Sequence, residues 1–353
     1  MKVRREMQEK RKTIYDLASE LGVSIAAISR AFDPDSKLSK EKRELILATA
    51  KKYGYTPNKM ASRLSMQEIT IGVLNLSYIK VYYSEIMDGI KAAHESLKDY
   101  KVECDMRVLQ RGENSMDEAM AVLDEFKASG YKGVIISGIY EDCIIEKIDE
   151  LTEAGIQVVT LQYDIPKSKR VFSCLSNYDV IGEMAAQLCG MLLRDVTNRK
   201  TVMFTGNKVS PTHQKLIEAF FKGAKKYNVD IVDTYDTKDD PEYAREMVIK
   251  AFREHPDIAA IYASSANSLP ICRYLEGVEG GKRIAFVASD VFPELHKYIE
   301  SGYIDATIYQ EPYKMGYDAF EQLYHVLADN KVVTGRIMST PRVVMASNLY
   351  CYR

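Results

Sequence analysis

Residues 13–32 read TIYDLASELGVSIAAISRAF and predict two short helices joined by a glycine turn. Thr13 is placed to cap the first helix, in which apolar residues recur at helical spacing. Gly22 ends that helix, because glycine readily takes the left-handed conformation that such a turn needs. Ser24 then caps a second helix that ends near Phe32. This is the spacing of a helix-turn-helix, the motif of many DNA-binding domains, and the alternative is an ordinary helical hairpin.

A third helix is predicted between Ser39 and Gly54, so that three helices form a small all-α head. Charge separates this head from the rest of the chain. Residues 1–64 hold 15 Lys and Arg against 8 Asp and Glu, whereas the remainder holds 33 against 42. A basic head on an acidic body indicates that the head meets a polyanion, although solvated basic helices would have the same composition.

From residue 69 onward, apolar strand-like runs alternate with helix-length segments, as at 69–76, 102–109 and 133–137. This alternation is typical of parallel sheets with helices on both faces. Eleven such runs exceed one ordinary sheet, so we predict an α/β body of two doubly wound parallel-sheet subdomains. The proline-bearing segment 163–166 is the expected first connection between them.

The sequence lacks the motifs that would indicate catalysis. No G-x-G-x-x-G follows the first strand, no P-loop or G-x-S-x-G occurs, and the five histidines are scattered. The six cysteines form no CxxC pair, and no apolar run reaches the roughly 18–20 residues of a membrane helix. The charged N-terminus is not followed by an apolar signal-peptide core. We therefore expect a cytoplasmic protein that is no enzyme, holds no metal or cofactor and spans no membrane.

The residues of the head closely resemble those of the LacI family of bacterial transcriptional regulators. The matching segments are TIYDLA at 13–18, LGVS at 21–24, ISR at 28–30, Ser39 and YGYTPN at 53–58. The resemblance implies a helix-turn-helix DNA-binding domain, a hinge helix or linker and a periplasmic-binding-protein-like effector domain, over residues 1–57, 58–67 and 68–353. It also implies three crossings of the chain between subdomains, the later two near 290–293 and 330–340. The subdomains are then about 68–165 with 291–329, and about 166–290 with 330–353.

In this family the second helix lies in the major groove. The resemblance implies that Ile25 and Ala26 face base edges and that Ser29 and Arg30 contact bases or phosphates. Ile25 and Ala26 carry no donors, so they would read DNA by apolar contact, for example with thymine methyl groups. Arg30 could make a bidentate contact to guanine, and a plain phosphate clamp is an equal alternative.

The hinge at 58–67 is implied to form a helix on operator DNA, with Leu64 wedged between base pairs in the minor groove. Ala61 is small enough for two such helices to approach closely. The alternative is a solvated linker with Leu64 packed on the next domain. The complete set of expected DNA-binding residues is Thr13, Ser24, Ile25, Ala26, Ser29, Arg30, Asn58, Lys59, Ala61 and Leu64.

Ligands of doubly wound folds bind beyond the carboxyl ends of the strands. The residues expected there are Tyr82, Tyr83, Asp164, His213, Asn267, Asp290 and Gln310. Carboxylates and amides suit vicinal hydroxyl groups, and an aromatic ring could stack on a sugar. Strand-end capping is the alternative role. Many sugar-binding relatives carry an arginine where this chain has Leu216, so either His213 or Lys215 substitutes or the effector is not a usual sugar.

The sequence thus predicts a DNA-binding transcriptional regulator, a repressor by resemblance. We expect a homodimer, or a higher oligomer, on a pseudo-palindromic operator, with a small-molecule effector, a sugar or sugar derivative, between the subdomains. A solute-binding protein without DNA function would explain residues 69–353 but not the head. A sugar-metabolising enzyme is the third alternative, and it lacks a catalytic constellation.

Overall fold

The computed structural model describes residues 13–32, 36, 38–55, 68–77, 80–277 and 283–352. The chain forms two compact units, a head at 1–67 and a body at 68–353.

Three helices form the head around a small apolar core. They are α1 (Ile14–Leu21), α2 (Ile25–Ala31) and α3 (Lys40–Lys52). Leu17, Ile28 and Ile46, one from each helix, are fully buried at its centre. A capping box begins α1: the Thr13 amide donates to Asp16 Oδ2 at 2.6 Å, and the Asp16 amide donates to Thr13 Oγ1 at 3.3 Å.

The turn between α1 and α2 follows the sequence prediction. Gly22 has φ 60°, the left-handed conformation, and its amide donates to the carbonyl of Ala18. Ser24 caps α2, because its Oγ accepts from the Ala27 amide at 3.2 Å. These two local devices fix the angle at which α2 leaves α1.

The body contains two sheets of six strands within the described residues. The elements of the first sheet and its layers are β1 (Ile69–Ser77), α4 (Lys80–Ser96), β2 (Val102–Gln110), α5 (Ser115–Ala128), β3 (Gly133–Ser137), α6 (Cys143–Glu153), β4 (Gln157–Leu161), β5 (Phe172–Leu175), α12 (Pro312–Asp329) and β11 (Gly335–Met338). The strand order is β11-β5-β4-β3-β1-β2, and every pairing is parallel. We call this the first subdomain.

The second subdomain is built in the same way. Its elements are α7 (Tyr178–Leu192), β6 (Lys200–Thr205), α8 (Pro211–Tyr227), β7 (Asp230–Asp236), α9 (Pro241–Glu254), β8 (Ala260–Ala263), α10 (Ser268–Glu276), β9 (Ala285–Ser289), α11 (His296–Glu300), β10 (Ala306–Tyr309) and β12 (Arg342–Val344). The order is β12-β10-β9-β8-β6-β7, with β12 alone antiparallel to its neighbour. The predicted fold class, an all-α head and an α/β body of two doubly wound subdomains, is confirmed.

The expected crossing points between the subdomains need correction. Segment 163–166 does not leave the first sheet, because the chain turns there and returns as the buried strand β5 beside β4. The first crossing lies at 176–177, the second at 310–311 and the third at 339–341. The first subdomain is therefore about 68–175 with 312–338, not 68–165 with 291–329. The second is about 176–310 with 339–352, not 166–290 with 330–353.

The second and third crossings differ from the expected positions for a physical reason. Segment 291–309 stays in the second subdomain because it contains β10, which pairs in parallel with β9. Strand β11, with the residues Gly-Arg-Ile-Met, joins β5 in the first sheet although its apolar pattern is weak. The pairing partner, rather than the strand's own composition, decides to which sheet each segment belongs.

Helices α4 and α12 approach each other very closely on the first sheet. A Cβ atom at Gly89 would overlap the carbonyl oxygen of Tyr313, and one at Gly316 would overlap the carbonyl oxygen of Ile86. The two helices can pack at this distance only because both positions lack a side chain.

We expect Gly89→Ala to destabilise the body by about 1–3 kcal/mol, since the added methyl group forces two packed backbones apart. Gly112→Ala is the matched control, because a Cβ there meets nothing within 4 Å and the change should stay within about 0.5 kcal/mol. Urea unfolding of the full chain measures both. Equal midpoints for the two variants would contradict the close approach.

Candidate functional site

The exposed face of α2 is the candidate DNA-reading surface of the head. Ala27, Ile28 and Ala31 are buried against the other helices. The residues that remain exposed on the other side are Ser24, Ile25, Ala26, Ser29 and Arg30, all of them expected at the DNA interface. Apolar, hydroxyl and guanidinium side chains, three of the kinds that contact base edges, are present here.

The other expected DNA contacts are placed differently. The Thr13 hydroxyl donates to Asp16 Oδ2 at 2.8 Å within the capping box of α1. Asn58, Lys59, Ala61 and Leu64 lie outside the described residues, so the hinge stays a prediction.

The candidate effector site is a cleft between the two subdomains, at the carboxyl ends of their parallel strands. It has a volume of about 540 Å³, counted out to its solvent-filled mouth. Its lining residues are Tyr82, Tyr83, Gln162, Tyr163, Tyr178, Thr212, His213, Leu216, Asp239, Ser264, Ser265, Ala266, Asp290 and Gln310. Five of the residues expected from sequence are therefore brought together, namely Tyr82, Tyr83, His213, Asp290 and Gln310.

Tyrosines form one wall of the cleft. The rings of Tyr82 and Tyr83, on α4, meet edge to face with centroids 5.6 Å apart and planes at 86°. The Tyr83 hydroxyl donates to Gln162 Oε1, and the Tyr178 hydroxyl donates to the Gln162 carbonyl at 3.0 Å. Burial raises the pKa of the Tyr82, Tyr83, Tyr163 and Tyr178 hydroxyls, so these phenols stay neutral at neutral pH.

Asp290 and Gln310 form a clamp at the ends of β9 and β10. Asp290 Oδ1 accepts from the Gln310 amide at 3.1 Å, and Oδ2 accepts from Gln310 Nε2 at 2.8 Å. The Thr307 hydroxyl donates to the Asp290 carbonyl at 2.6 Å. Asp290 is 1% exposed. Burial raises its pKa to about 7, helped by the nearby charge of Glu85 and opposed by the Gln310 donors.

A second polar pair lies on the wall of the second subdomain. His213 Nε2 lies 3.4 Å from Asp239 Oδ2, which also accepts from the Asn207 amide at 3.1 Å. Burial pushes the pKa of Asp239 upward, but His213 and the Asn207 amide outweigh it and hold that pKa below its usual range. Within the described part of the chain, Asp239 Oδ1 and His213 Nδ1 are buried without a hydrogen-bond partner.

Two expected residues do not line the cleft. Asp164 is paired with Arg170 and, at 2.5 Å, with Arg336 Nε, so it fastens the turn before β5 to strand β11. Asn267 is buried one residue beyond the lining and donates to Thr237 Oγ1 at 3.2 Å. Both residues follow the carboxyl ends of strands, as expected of ligand contacts, but their side chains instead form ion pairs or hydrogen bonds with neighbouring loops and strands.

Several lining residues were missed. Gln162, Asp239 and Ser264 follow β4, β7 and β8, and the strand-end rule could have found them. Tyr178 and Thr212 lie in the first turns of α7 and α8. Only the packing of these helices brings them to the cleft, so no pattern in the sequence points to them.

Within the described segments of the chain, no helix is long and apolar enough to cross a membrane. The same segments hold no group of three or more His, Cys, Asp or Glu side chains that could bind a metal ion.

Comparison with known proteins matches both units. Residues 71–331 match the periplasmic binding protein domain family, and residues 13–58 match bacterial regulatory proteins of the lacI family. Catabolite control protein A of Priestia megaterium is 25% identical over 258 residues, which are 72% of this chain and 74% of that protein.

Two solved structures share the fold of the body. One is GanP, a glucose-galactose binding protein of Geobacillus stearothermophilus, with 23% identity and a TM-score of 0.70 over 80% of this chain and 99% of that one. The other is an ABC transporter solute binding protein of Burkholderia graminis in complex with D-arabinose, with 22% identity and a TM-score of 0.73 over 80% and 98%.

The raised pKa of Asp290 gives a testable dependence of stability on pH. The folded protein keeps a proton that the unfolded chain has already lost above its ordinary pKa of about 3.9. This contribution to stability is therefore fully present below about pH 4, falls steadily as pH rises from about 4 to 7, and is lost above about 7. We expect the free energy of unfolding of the wild type to fall relative to that of Asp290→Asn by up to about 3 kcal/mol between about pH 5 and 8, because the variant cannot titrate at this position. A constant difference across this range would show that Asp290 does not titrate there.

Proposed function

This chain belongs to the LacI family of bacterial regulatory proteins, with a periplasmic binding protein domain behind its head, and we propose that a small molecule in the cleft sets its affinity for operator DNA. The chain is thus a DNA-binding transcriptional regulator. A solute-binding protein without DNA function would leave the match at residues 13–58 unexplained.

The observation that supports DNA reading is the division of α2 into two faces. Its buried side fixes the helix to the head, and its exposed side presents Ile25, Ala26, Ser29 and Arg30. We place this exposed face in the major groove. Ile25 and Ala26 would contact apolar base edges, and Arg30 would donate to a guanine or to a phosphate.

The remaining parts of the DNA complex follow from the family. We propose a homodimer in the cytoplasm, whose two heads meet the half-sites of a pseudo-palindromic operator. Two hinge segments, with Asn58, Lys59, Ala61 and Leu64, would occupy the minor groove between the half-sites, and Leu64 would kink the duplex. Repression is the proposed outcome of this binding.

The effector proposal rests on the cleft. Residues from both subdomains line it, so a ligand bound there favours one arrangement of the subdomains over others. The solved relatives of the body include sugar-binding proteins, which supports a sugar or sugar derivative as the effector class. The cleft's hydroxyl, amide and carboxylate groups fit hydroxyl groups of such a ligand.

Selection from random duplexes tests DNA binding directly. Full-length protein should enrich a two-fold symmetric sequence and bind it with an affinity that falls steeply as salt rises. Enrichment of no sequence by a protein whose head is folded would remove the regulator assignment.

Arg30→Ala measures the role of the guanidinium. If Arg30 reads a guanine, the selected operator should lose about 1–3 kcal/mol of binding free energy while random DNA loses much less. Lys51→Ala is the matched control, because it removes an exposed cation that lies in the last turn of α3 and not on α2. Equal losses for Arg30→Ala on operator and random DNA would make Arg30 a phosphate clamp.

Asp290→Asn tests the cleft as the effector site. A compound that raises the thermal midpoint of the body should also change operator affinity, and Asp290→Asn should weaken both responses while it spares operator binding without effector. Asp99→Asn, an exposed carboxylate outside the cleft, should keep the wild-type response. An undiminished response in Asp290→Asn would place the effector elsewhere.

A further inference from the structure

The charge of the cleft is one-sided among its described residues. The lining contains the carboxyl groups of Asp239 and Asp290 and no Lys or Arg. His213 is the basic side chain of the lining, and its Nε2 is directed to Asp239. A neutral sugar does not require this imbalance, because hydroxyl groups need donors as well as acceptors.

Cationic side chains in segments next to the lining are engaged elsewhere. Arg111 is paired with Glu141 and donates to the Gly138 carbonyl at 2.7 Å. Lys208 Nζ donates to the Thr234 carbonyl at 2.7 Å. Lys238 Nζ lies 4.3 Å from the centre of the Tyr243 ring. None of these three side chains therefore pairs with Asp239 or Asp290.

Asp239 carries an unused acceptor. Its side chain is 9% exposed, Oδ2 accepts from the Asn207 amide and faces His213, and Oδ1 is buried without a partner among the described residues. The lack of a side chain at Gly206 is needed for this arrangement, because a Cβ there would overlap both Asp239 Oδ1 and His213 Nε2. A buried ionised carboxylate accepts only, so the group that completes it must be a donor, and a charged donor gives the strongest bond.

The tyrosines provide the second feature that a cation requires. Tyr82 and Tyr83 meet at 86° and form a corner, and Tyr163 and Tyr178 line the same cleft. The faces of such rings attract a positive charge, most strongly where water is excluded. Aromatic rings beside a carboxylate are the usual surroundings of a bound ammonium group.

We propose that the effector is a small hydroxylated molecule with a protonated amine, whose ammonium group donates to Asp239 Oδ1 and lies against the tyrosine corner. The inference rests on the proposed effector role of the cleft and deepens it. The hydroxyl groups of this ligand would form hydrogen bonds with the lining serines, the tyrosine hydroxyls and the Asp290–Gln310 clamp. The position of Leu216, which is 3% exposed and packs with Phe220 and Tyr262, is consistent with a site that needs no arginine.

Matched pairs of probes that differ by one amine test the inference. The pairs are serinol against glycerol, glucosamine against glucose, and galactosamine against galactose, measured with full-length protein by calorimetry in an amine-free buffer near pH 7. We expect the amine member of at least one pair to bind at least about tenfold more tightly than its hydroxyl counterpart, a difference of about 1.4 kcal/mol. Equal binding within every pair that binds, or no binding by any amine, would overturn the inference.

Variants assign the preference to the proposed atoms. Asp239→Asn should remove most of the preference for the amine, measured as the ratio of the amine and hydroxyl affinities on the same variant. Tyr83→Leu keeps the apolar volume but removes a ring face, and it should reduce the same preference if Asp239→Asn does not fold. Asp99→Asn is the matched carboxylate control. A preference that survives in both cleft variants would overturn the assignment.

Operator binding separates this inference from the proposed function. If a neutral sugar binds more tightly than the amines and changes operator affinity, the regulatory role stands and the charge preference fails. If an amine binds with the expected preference but operator affinity is unchanged, the amine site stands and the effector role fails.

Discussion

Asp290 and Gln310 end two neighbouring strands of the second subdomain, and both Asp290 oxygens accept hydrogen bonds from Gln310. The chain leaves for the first subdomain immediately afterwards, through Glu311. Asp290 and Glu311 have φ values of 62° and 60°, in the left-handed region that costs non-glycine residues free energy. The clamp holds this backbone in place. The third crossing contacts the same residues. Ser339 Oγ donates to the Gln310 carbonyl at 2.8 Å, and Arg342 Nη2 lies 2.7 Å from Glu311 Oε1.

The crossings leave the two subdomains joined mainly at one side, with the cleft between them. Buried apolar residues of both subdomains belong to one continuous cluster, and hydrogen bonds also join the two subdomains. The Tyr163 hydroxyl lies 3.3 Å from Ser210 Oγ, and the Tyr309 hydroxyl donates to Glu85 at 2.9 Å. A neutral hydrogen bond of this kind contributes about 0.5–1.5 kcal/mol, and one to a charged carboxylate about 1.5–3 kcal/mol, since water replaces the partner when the bond opens. A bound ligand that contacts both walls changes this balance only through its different affinity for the open and closed arrangements, and regulation follows from that difference.

The electrostatics of the cleft distinguish this chain from a general sugar site. Leu216 occupies the position where an arginine was expected, and it packs into the apolar cluster under α8. The lining that remains is aromatic and acidic, with Asp290 buried and the side chain of Asp239 9% exposed. Burying a carboxylate without a cation is costly, and the cost appears as the raised pKa of Asp290. In the complex we propose, the ammonium group of the ligand would pair with Asp239, and its hydroxyl groups would bind the Asp290–Gln310 clamp.

The sequence by itself determined the features that depend on neighbours along the chain. The Thr13 cap, the left-handed Gly22 and the inward side of α2 at Ala27 and Ile28 follow from spacing of three or four residues. Strand-end positions also identified Asp290 and Gln310, because parallel strands must bring their carboxyl ends to one edge. The regulatory assignment followed from the same local matches in the head.

Only the tertiary structure decided which sheet each short strand joins. β5 has four residues and β11 has a weak apolar pattern, so their partners, and with them the crossing points, depend on competition between distant segments. The same competition takes Asp164 out of the cleft, because Arg336 from β11 reaches it. The packing of α7 likewise brings Tyr178 into the cleft. Helix caps and periodicity are local and can be read from the chain, whereas the sign of the charge around the ligand depends on which side chains the packing brings to face each other.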